Sequence, residues 1–264
     1  MAPYRIAVVI PAYNEQDRLP GTLAKIAVAH IPGFEVAQIY VAENGSNDDT
    51  AAIAAAVGER LGLPLTVERL NALGKAQTLA KIMPVAARGV DGVLFMDADN
   101  ATDLEELRHF SPDDRLSIQI GSRYVAGATI VSLDSTGRSW PRRLLSGGMR
   151  TLSHLLLRLP EHDTQCGFKL FPAACVPALF GPLRSSSWVF DAEILARAHR
   201  AQIPVYERPV RWVEMPGSKV RPVRDGIGSL VGLFAIWWHI RDASATNPFC
   251  EMDASEEATN SRAL

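Results

Sequence analysis

The sequence predicts an α/β domain with a mostly parallel central sheet flanked by helices. Short apolar runs of strand length alternate with segments of helix length, the pattern typical of parallel strands joined by right-handed crossovers. One apolar run, residues 93–96, ends abruptly in two carboxylates, Asp97 and Asp99. Buried strands of open α/β sheets end in this way where a ligand binds at their carboxyl ends.

The first half of the chain contains four strand-like runs separated by helices. Residues 5–10 form the first, which Pro11 stops, and a helix follows with apolar side chains on one face, namely Leu19, Leu23, Ile26 and Ala27. The remaining runs are residues 36–42, 65–68 and the run before Asp97, and the helices between them are 50–61 and about 75–88. Asn44-Gly45 marks a turn, after which a Ser, Asn or Asp can cap helix 50–61.

The second half is less regular. Its predicted elements are a strand at 116–120, a flexible loop at 125–137, an Arg-rich helix at 141–159, a polar-then-strand segment at 161–171, a helix opened by 188–193, a strand at 205–213 and an apolar helix at 226–240. Pro209 cannot donate a ladder hydrogen bond, so it places the strand at 205–213 on a sheet edge.

We expect one domain over residues 1–245, with a nucleotide-binding half at about 1–122 and an acceptor half at about 123–245. A chain of 264 residues is long enough for such a domain and its core. Residues 246–264 are acidic and predict a disordered tail, because they offer few apolar side chains to bury.

Charge distribution narrows the classes of partner. The formal net charge is −2, which argues against non-specific nucleic-acid binding. Residues 135–160 nevertheless contain no acidic residue and five arginines, Arg138, Arg142, Arg143, Arg150 and Arg158. Such a stretch suits a phosphate-bearing ligand. The three cysteines have no zinc spacing and are odd in number, as expected of a reducing cytoplasm.

The apolar content does not predict a membrane span. No segment reaches the roughly 20 apolar residues that a span requires, and the N-terminus leads into the first strand without a signal peptide. We therefore expect a cytoplasmic protein, with peripheral contact at the cytoplasmic face of the membrane as an alternative. Trp237-Trp238 on the apolar helix favours packing or a homo-oligomer contact over membrane binding.

Asp97 and Asp99 are candidate metal ligands. In an extended chain, residues two apart point the same way, so both carboxylates can bind one Mg²⁺ or Mn²⁺ ion. Such ions commonly take substrate phosphates as their other ligands. The alternative interpretation is a polar strand-to-loop turn, since Asp and Asn are frequent turn residues.

In their order and spacing these segments resemble glycosyltransferase family 2, inverting enzymes of the GT-A fold that use nucleotide sugars. The matching segments are residues 9–15, Glu43-Asn44-Gly45-Ser46, Asp97-Ala98-Asp99 and Gly121-Ser122-Arg123. Residues 163–171, 188–193 and 217–220 resemble the dolichyl-phosphate β-glucosyltransferase branch, and 163–171 is the most specific of these motifs. The resemblance covers about residues 5–241.

The resemblance and the residue chemistry together assign the site. We expect the nucleotide sugar to contact Pro11, Ala12, Tyr13, Glu15, Glu43, Asn44, Gly45, Lys75, Asp97 and Ala98. The expected catalytic residues are Asp97, Asp99, Arg123, Asp163 and Gln165. The expected acceptor or phosphate contacts are Arg142, Arg143, Trp188, Asp191, Glu193 and Lys219. In this scheme Tyr13 stacks on the base, Glu15 or Glu43 accepts hydrogen bonds from base or ribose, and the cations stabilise the diphosphate.

The chain departs from the family pattern in three places. Glu43-Asn44 stands where family members usually have two aspartates, so the base or ribose contacts can differ. Gly74-Lys75-Ala76 replaces a Gly-Lys-Gly loop. The eukaryotic glucosyltransferases carry an N-terminal membrane anchor that we do not find in this sequence, which bears on the lipid acceptor and not on the donor chemistry.

We therefore expect transfer of a hexose, glucose from UDP-glucose, to a polyprenyl-phosphate-like acceptor. A phosphate monoester is already an anion at neutral pH, because its second pKa is about 6, and it needs no base. A hydroxyl acceptor would need one, for which the candidates are Asp163, Asp191 and Glu193. The alternatives are a transferase of the same fold that uses a soluble hydroxyl acceptor and a non-catalytic nucleotide-sugar-binding protein.

Overall fold

The computed structural model describes residues 2–71, 74–132, 148, 151–181, 183, 189–215 and 222–240, with the backbone alone for 222–227 and 240. The strands are β1 (Tyr4–Ala12), β2 (Phe34–Glu43), β3 (Leu65–Arg69), β4 (Gly92–Met96), β5 (Ile118–Ser122), β6 (Thr129–Ser132), β7 (Phe168–Pro172), β8 (Val205–Pro209) and β9 (Arg211–Glu214). The helices are α1 (Leu19–Val28), α2 (Thr50–Arg60), α3 (Lys75–Ala86), α4 (151–157), α5 (Val176–Leu179), α6 (Phe190–Arg200) and α7 (Pro222–Ile240). Short 3₁₀ helices lie at Leu104–His109 and Ala173–Cys175.

Seven strands form one sheet in the order β3-β2-β1-β4-β7-β5-β8. Neighbouring strands are parallel except at β7, which runs antiparallel to both β4 and β5. The predicted mostly parallel α/β sheet is thus confirmed. The strand order reverses between β1 and β4, which places a topological switch point at their carboxyl ends.

Both faces of the sheet are buried. Ile6, Val8 and Ile10 of β1 pack on one face with α1 and α2, whereas Ala7 and Val9 pack on the other with α3 and α6. Alternate strand residues point to opposite faces, so a strand covered on both sides is apolar throughout. This arrangement explains why residues 5–10 and 93–96 read as unbroken apolar runs.

The structure corrects the prediction in three places. Ala27 lies on the exposed side of α1, where Thr22 joins Leu19, Leu23 and Ile26 on the buried face. The expected loop at 125–137 contains strand β6. The expected single strand at 205–213 divides after Pro209, because Pro209 ends β8 at the sheet edge and the next residues turn away into β9.

β6 and β9 pair as a separate parallel ribbon. Thr102 forms an isolated bridge to Trp212, and the Val213 N–H donates to the Ala101 carbonyl at 2.7 Å. The ribbon therefore packs beside the loop that follows β4. Helix α7 confirms the predicted apolar helix, and within the described ranges no helix combines the length and apolar character needed to cross a bilayer.

Candidate active site at the carboxyl edge of the sheet

The predicted donor residues meet at the switch point. Ala12 ends β1 and residues 13–15 follow it, Glu43 ends β2 and Asn44-Gly45 follow it, and Asp97 follows β4. The Asn44 N–H donates to the Ala12 carbonyl at 3.0 Å, and the Asn14 N–H donates to the Ser46 hydroxyl at 3.0 Å. Chain segments 32 residues apart thus line one edge of the sheet, as the parallel order requires.

Asp97 is held by β7 and by a lysine. Its N–H donates to the Gly167 carbonyl at 3.0 Å, and Lys75 Nζ donates to its Oδ1 at 2.6 Å. Gly167 lies so close that an added Cβ would stand 2.0 Å from Asp97 Oδ2. Burial alone would lower the Lys75 pKa, but the charges of Asp97 and Asp191 outweigh it and raise that pKa. Lys75 therefore remains a cation at this edge.

Asp99 lies on the same turn, and its surroundings disfavour the ionised form of its carboxyl group. Burial and the neighbouring Asp97 charge raise the Asp99 pKa, while its Oδ1 accepts the Ala101 N–H at 3.0 Å. The amide oxygen of Asn100 is buried and has no hydrogen-bond partner among the described residues.

The Asp97 and Asp99 carboxylates, and the unpartnered amide oxygen of Asn100 next to them in sequence, are hard oxygen donors of the kind that fits Mg²⁺ or Mn²⁺. No cluster of three or more His, Cys, Asp or Glu side chains suited to a metal is found in the described part of the chain. A cation held here would thus need oxygens from a ligand, as is usual for Mg²⁺ with phosphates.

Two carboxylates predicted to contact the nucleoside are engaged within the protein. Glu15 accepts two hydrogen bonds of 2.6 Å from Arg18, and Glu43 Oε1 accepts the Ser46 N–H at 2.5 Å. Tyr13, in contrast, is 47% exposed at the end of β1. The geometry therefore suits Tyr13 for stacking, whereas Glu15 and Glu43 in this conformation shape the two loops.

Asp163 forms a buried pair with Arg123. Its Oδ2 accepts from Arg123 Nε at 2.7 Å and its Oδ1 from Nη2 at 2.8 Å, and the Arg123 N–H also donates to Oδ2. Burial favours the protonated acid, but these bonds prevail and lower the Asp163 pKa. Asp163 is a candidate base only for a hydroxyl acceptor, and in this conformation both of its oxygens accept hydrogen bonds from Arg123. Gln165 is exposed beside this pair.

Two of the predicted acceptor contacts are buried in ion pairs on α6. Asp191 Oδ1 lies 2.5 Å from Lys169 Nζ, and Glu193 Oε1 lies 2.6 Å from Arg197 Nη2. Both carboxylates are less than a tenth exposed. In this conformation each carboxylate is paired with a cation of the protein, and the acceptor contacts of both residues stay predictions. The other acceptor candidates lie outside the described residues: Arg142, Arg143, Trp188 and Lys219.

The structure adds three residues that sequence reasoning missed. Lys169 is buried beneath the site, the Thr22 hydroxyl donates to the Ala98 carbonyl at 2.7 Å, and Arg18 holds Glu15. A signal existed for two of them. Lys169 interrupts the apolar run 168–171, and Thr22 occupies an i+3 position on the apolar face of α1.

Comparison with known proteins agrees with this geometry. Residues 7–173 match the family model described as glycosyl transferase family 2. The dolichyl-phosphate beta-glucosyltransferase of Drosophila melanogaster is 33% identical over 248 residues, which cover 88% of this chain and 74% of that protein. The human protein of the same name is 31% identical, with 83% and 70% of the two chains covered.

A solved structure supports the fold. Glucosyl-3-phosphoglycerate synthase from Mycobacterium tuberculosis, in complex with Mn²⁺, UDP and phosphoglyceric acid, has a TM-score of 0.58 at 16% identity, with 89% of this chain and 78% of that one covered. At this identity the likeness concerns the fold alone. The sheet order, the carboxylates after β4, the matched family model and the identity to these two relatives agree, and the chain belongs to glycosyltransferase family 2.

Proposed function

We propose that the protein is an inverting, metal-dependent hexosyltransferase that moves glucose from UDP-glucose to a polyprenyl phosphate. The observation that carries the proposal is the Asp97–Asp99 turn at the switch point, with Lys75 Nζ 2.6 Å from Asp97 Oδ1 and with Asp99 on the same turn accepting the Ala101 N–H. The names of the relatives support glucose and a dolichyl-phosphate acceptor. The Mn²⁺ and UDP in the synthase complex support the donor and cation classes.

The donor would lie across the carboxyl ends of β1, β2 and β4. Tyr13 would stack on the base, and the backbone at Pro11, Ala12, Asn44, Gly45 and Ala98 would line the nucleoside cleft. Asp97 and Asp99 would hold a divalent cation, which when bound neutralises charge on the departing diphosphate. Lys75 would add a second positive charge on the same side.

A phosphate acceptor fits the described residues better than a hydroxyl acceptor. A phosphate oxygen attacks as an anion and needs only cations to position it. The three carboxylates considered as bases are each paired with a cation of the protein at 2.5 to 2.8 Å, namely Asp163, Asp191 and Glu193. The acceptor oxygen would attack the anomeric carbon opposite the leaving diphosphate, which inverts that centre.

Asp97→Asn and Asp99→Asn test the donor chemistry. Each variant should keep the wild-type melting temperature and lose transfer of labelled glucose from UDP-glucose by at least about 100-fold, since the charge-stabilising contact is missing. The matched control is Asp113→Asn, an exposed aspartate before β5, which should leave turnover unchanged. Turnover that persists in EDTA, or in both Asn variants, would remove the cation from the scheme.

An acceptor panel tests the second substrate. A short-chain polyprenyl phosphate, 3-phosphoglycerate and the dephosphorylated polyprenol should be compared with the same UDP-glucose donor. We expect a β-linked product, assigned by NMR, with the polyprenyl phosphate alone. Product with the polyprenol would instead require a base and would favour the hydroxyl-acceptor alternative. Binding of UDP-glucose without transfer to any acceptor would favour a non-catalytic binding protein.

A further inference from the structure

A lysine is buried in the middle of the sheet, directly beneath the site. Lys169 belongs to β7 and is 1% exposed, and its register partner in β4 is Phe95. Its Nζ donates to the Cys166 carbonyl and to Asp191 Oδ1, both at 2.5 Å. Desolvating an ammonium and a carboxylate costs several kcal/mol each, which an ion pair repays only with good geometry. Two apolar side chains at these positions would fill the core without this cost. The presence of two charges therefore indicates a role other than packing.

Lys169 is connected to Asp97 through the backbone of residues 166 and 167. The bond from Lys169 fixes the Cys166 carbonyl, which belongs to the peptide that enters Gly167. Gly167 in turn accepts the Asp97 N–H and lies against the Asp97 carboxylate. A shift of this peptide by a few tenths of an ångström would therefore move the carboxylate that the proposed donor chemistry uses.

The other side of the pair lies close to Lys75. Lys75 Nζ donates to Asp97 Oδ1 and lies 5.8 Å from the ring centroid of Phe190, the residue before Asp191. Both ammonium groups also lie near the Phe95 ring, at 4.8 Å for Lys75 and 5.7 Å for Lys169 from its centroid. Asp191 is therefore hydrogen-bonded to one of these lysines, and the residue before it packs beside the other.

We propose that Lys169 and Asp191 form a buried positioning pair that holds Asp97 and Lys75 in the arrangement needed for the cation and the diphosphate. Neither residue contacts substrate in this scheme. The proposal rests on the proposed function for its consequence in catalysis, but the positions of Asp97 and Lys75 can be measured without any ligand. Outer residues of this kind typically change metal affinity or activity 10- to 100-fold when replaced.

Two variants test the pair. Lys169→Met with Asp191→Leu replaces both charges by apolar groups of similar volume, a change that is often neutral for stability. Asp191→Asn keeps a hydrogen-bond acceptor for Lys169 and removes the buried negative charge of the pair. The control is Glu161→Leu with His199→Leu, which removes the 2.6 Å Glu161–His199 pair at the other end of α6.

The first measurement is the acetylation rate of Lys75 by acetic anhydride, followed by peptide mass spectrometry in the absence of ligand. We expect both test variants to be labelled at least about tenfold faster than wild type, because the pairing of Lys75 with Asp97 loosens and its amino group becomes more accessible. The control should be labelled at the wild-type rate. A rate within twofold of wild type in a folded test variant overturns the proposal.

The second measurement is Mn²⁺ affinity in the presence of UDP, followed by electron paramagnetic resonance. The proposal expects a Kd raised about 10-fold or more in the test variants and unchanged in the control. An unchanged Kd in the folded variants also overturns it. If wild-type protein does not bind Mn²⁺ with UDP, the proposed function fails, whereas the ligand-free labelling result still decides the positioning role.

Discussion

At the scale of single residues, the site depends on one close approach between Gly167 and Asp97. The Asp97 carboxylate occupies the volume in which a side chain at position 167 would begin. No side chain larger than hydrogen fits there while Asp97 keeps its place. Position 167 in the 163–171 motif therefore requires glycine because the Asp97 carboxylate occupies the space of a side chain, and not because of its backbone conformation.

Gly167→Ala should displace the Asp97 side chain and reduce glucose transfer by at least about tenfold, because the added Cβ would stand 2.0 Å from Oδ2. Steady-state kinetics with UDP-glucose and a Mn²⁺ titration provide the measurement. The matched control is Gly21→Ala in α1, where nothing lies within 4 Å of an added Cβ. That change should leave transfer intact and stabilise the helix by about 0.5–1 kcal/mol. Wild-type kinetics for Gly167→Ala would contradict the steric account.

At the scale of elements, helix α1 reaches the Asp97–Asp99 turn through a single side chain. Thr22 is buried, and its hydroxyl donates to the carbonyl of Ala98, the residue between the two aspartates. An element 76 positions earlier in the chain thus fixes the peptide on which both carboxylates stand. The packing of α1 on the sheet and the geometry of the turn are linked by this bond.

Thr22→Val keeps the volume of the side chain and removes the hydroxyl, so the Ala98 carbonyl loses its donor. We expect a loss of about 1–3 kcal/mol in unfolding free energy from urea titration, together with a higher KM for UDP-glucose. Thr22→Ser should restore both, because it retains the hydroxyl. If Thr22→Val lowers stability but leaves KM and Mn²⁺ affinity at wild-type values, α1 supports the fold without orienting the turn.

At the scale of the whole molecule, the two sequence halves do not form separate sheets. β7 lies between β4 and β5, so a strand from the second half joins two strands of the first. The core on the α3 side of the sheet likewise combines residues of β1 with residues of α6. The boundary expected near residue 122 therefore does not divide the core.

A fragment of residues 1–122 should not fold by itself, because β4 would lose β7 and β5 would lose both of its neighbours. We expect poor dispersion in its ¹H–¹⁵N spectrum and no cooperative urea transition. Residues 1–245 under the same conditions should show a dispersed spectrum and one transition. A dispersed spectrum and cooperative unfolding of the short fragment would show that the first half is an independent unit.

Local sequence was sufficient for most of the strands and helices and for the line of polar residues at one sheet edge. Apolar runs such as 93–96 indicate strands that are buried on both faces. Parallel strands end at the same edge of the sheet, so Tyr13, Glu43 and Asp97 lie at one edge whatever the conformation of the segments between them. Motif resemblance added the family. Local pattern did not predict β6, since its exposed residues and short length carry no alternation distinguishable from a loop.

Only the tertiary structure decided which charges face a ligand and which face each other. The sequence does not distinguish Asp97, Asp163 and Asp191. In the structure, Asp163 is buried in a pair with Arg123 and Asp191 in a pair with Lys169, whereas Asp97 remains partly exposed beside Lys75. Pairing depends on side chains that lie 22 to 40 positions apart. Sequence by itself determined most of the strands and helices and the sheet edge at which the polar site residues lie, because burial produces a local pattern of apolar residues. The partner of each charged side chain depends on distances that only folding creates, so the tertiary structure decided it.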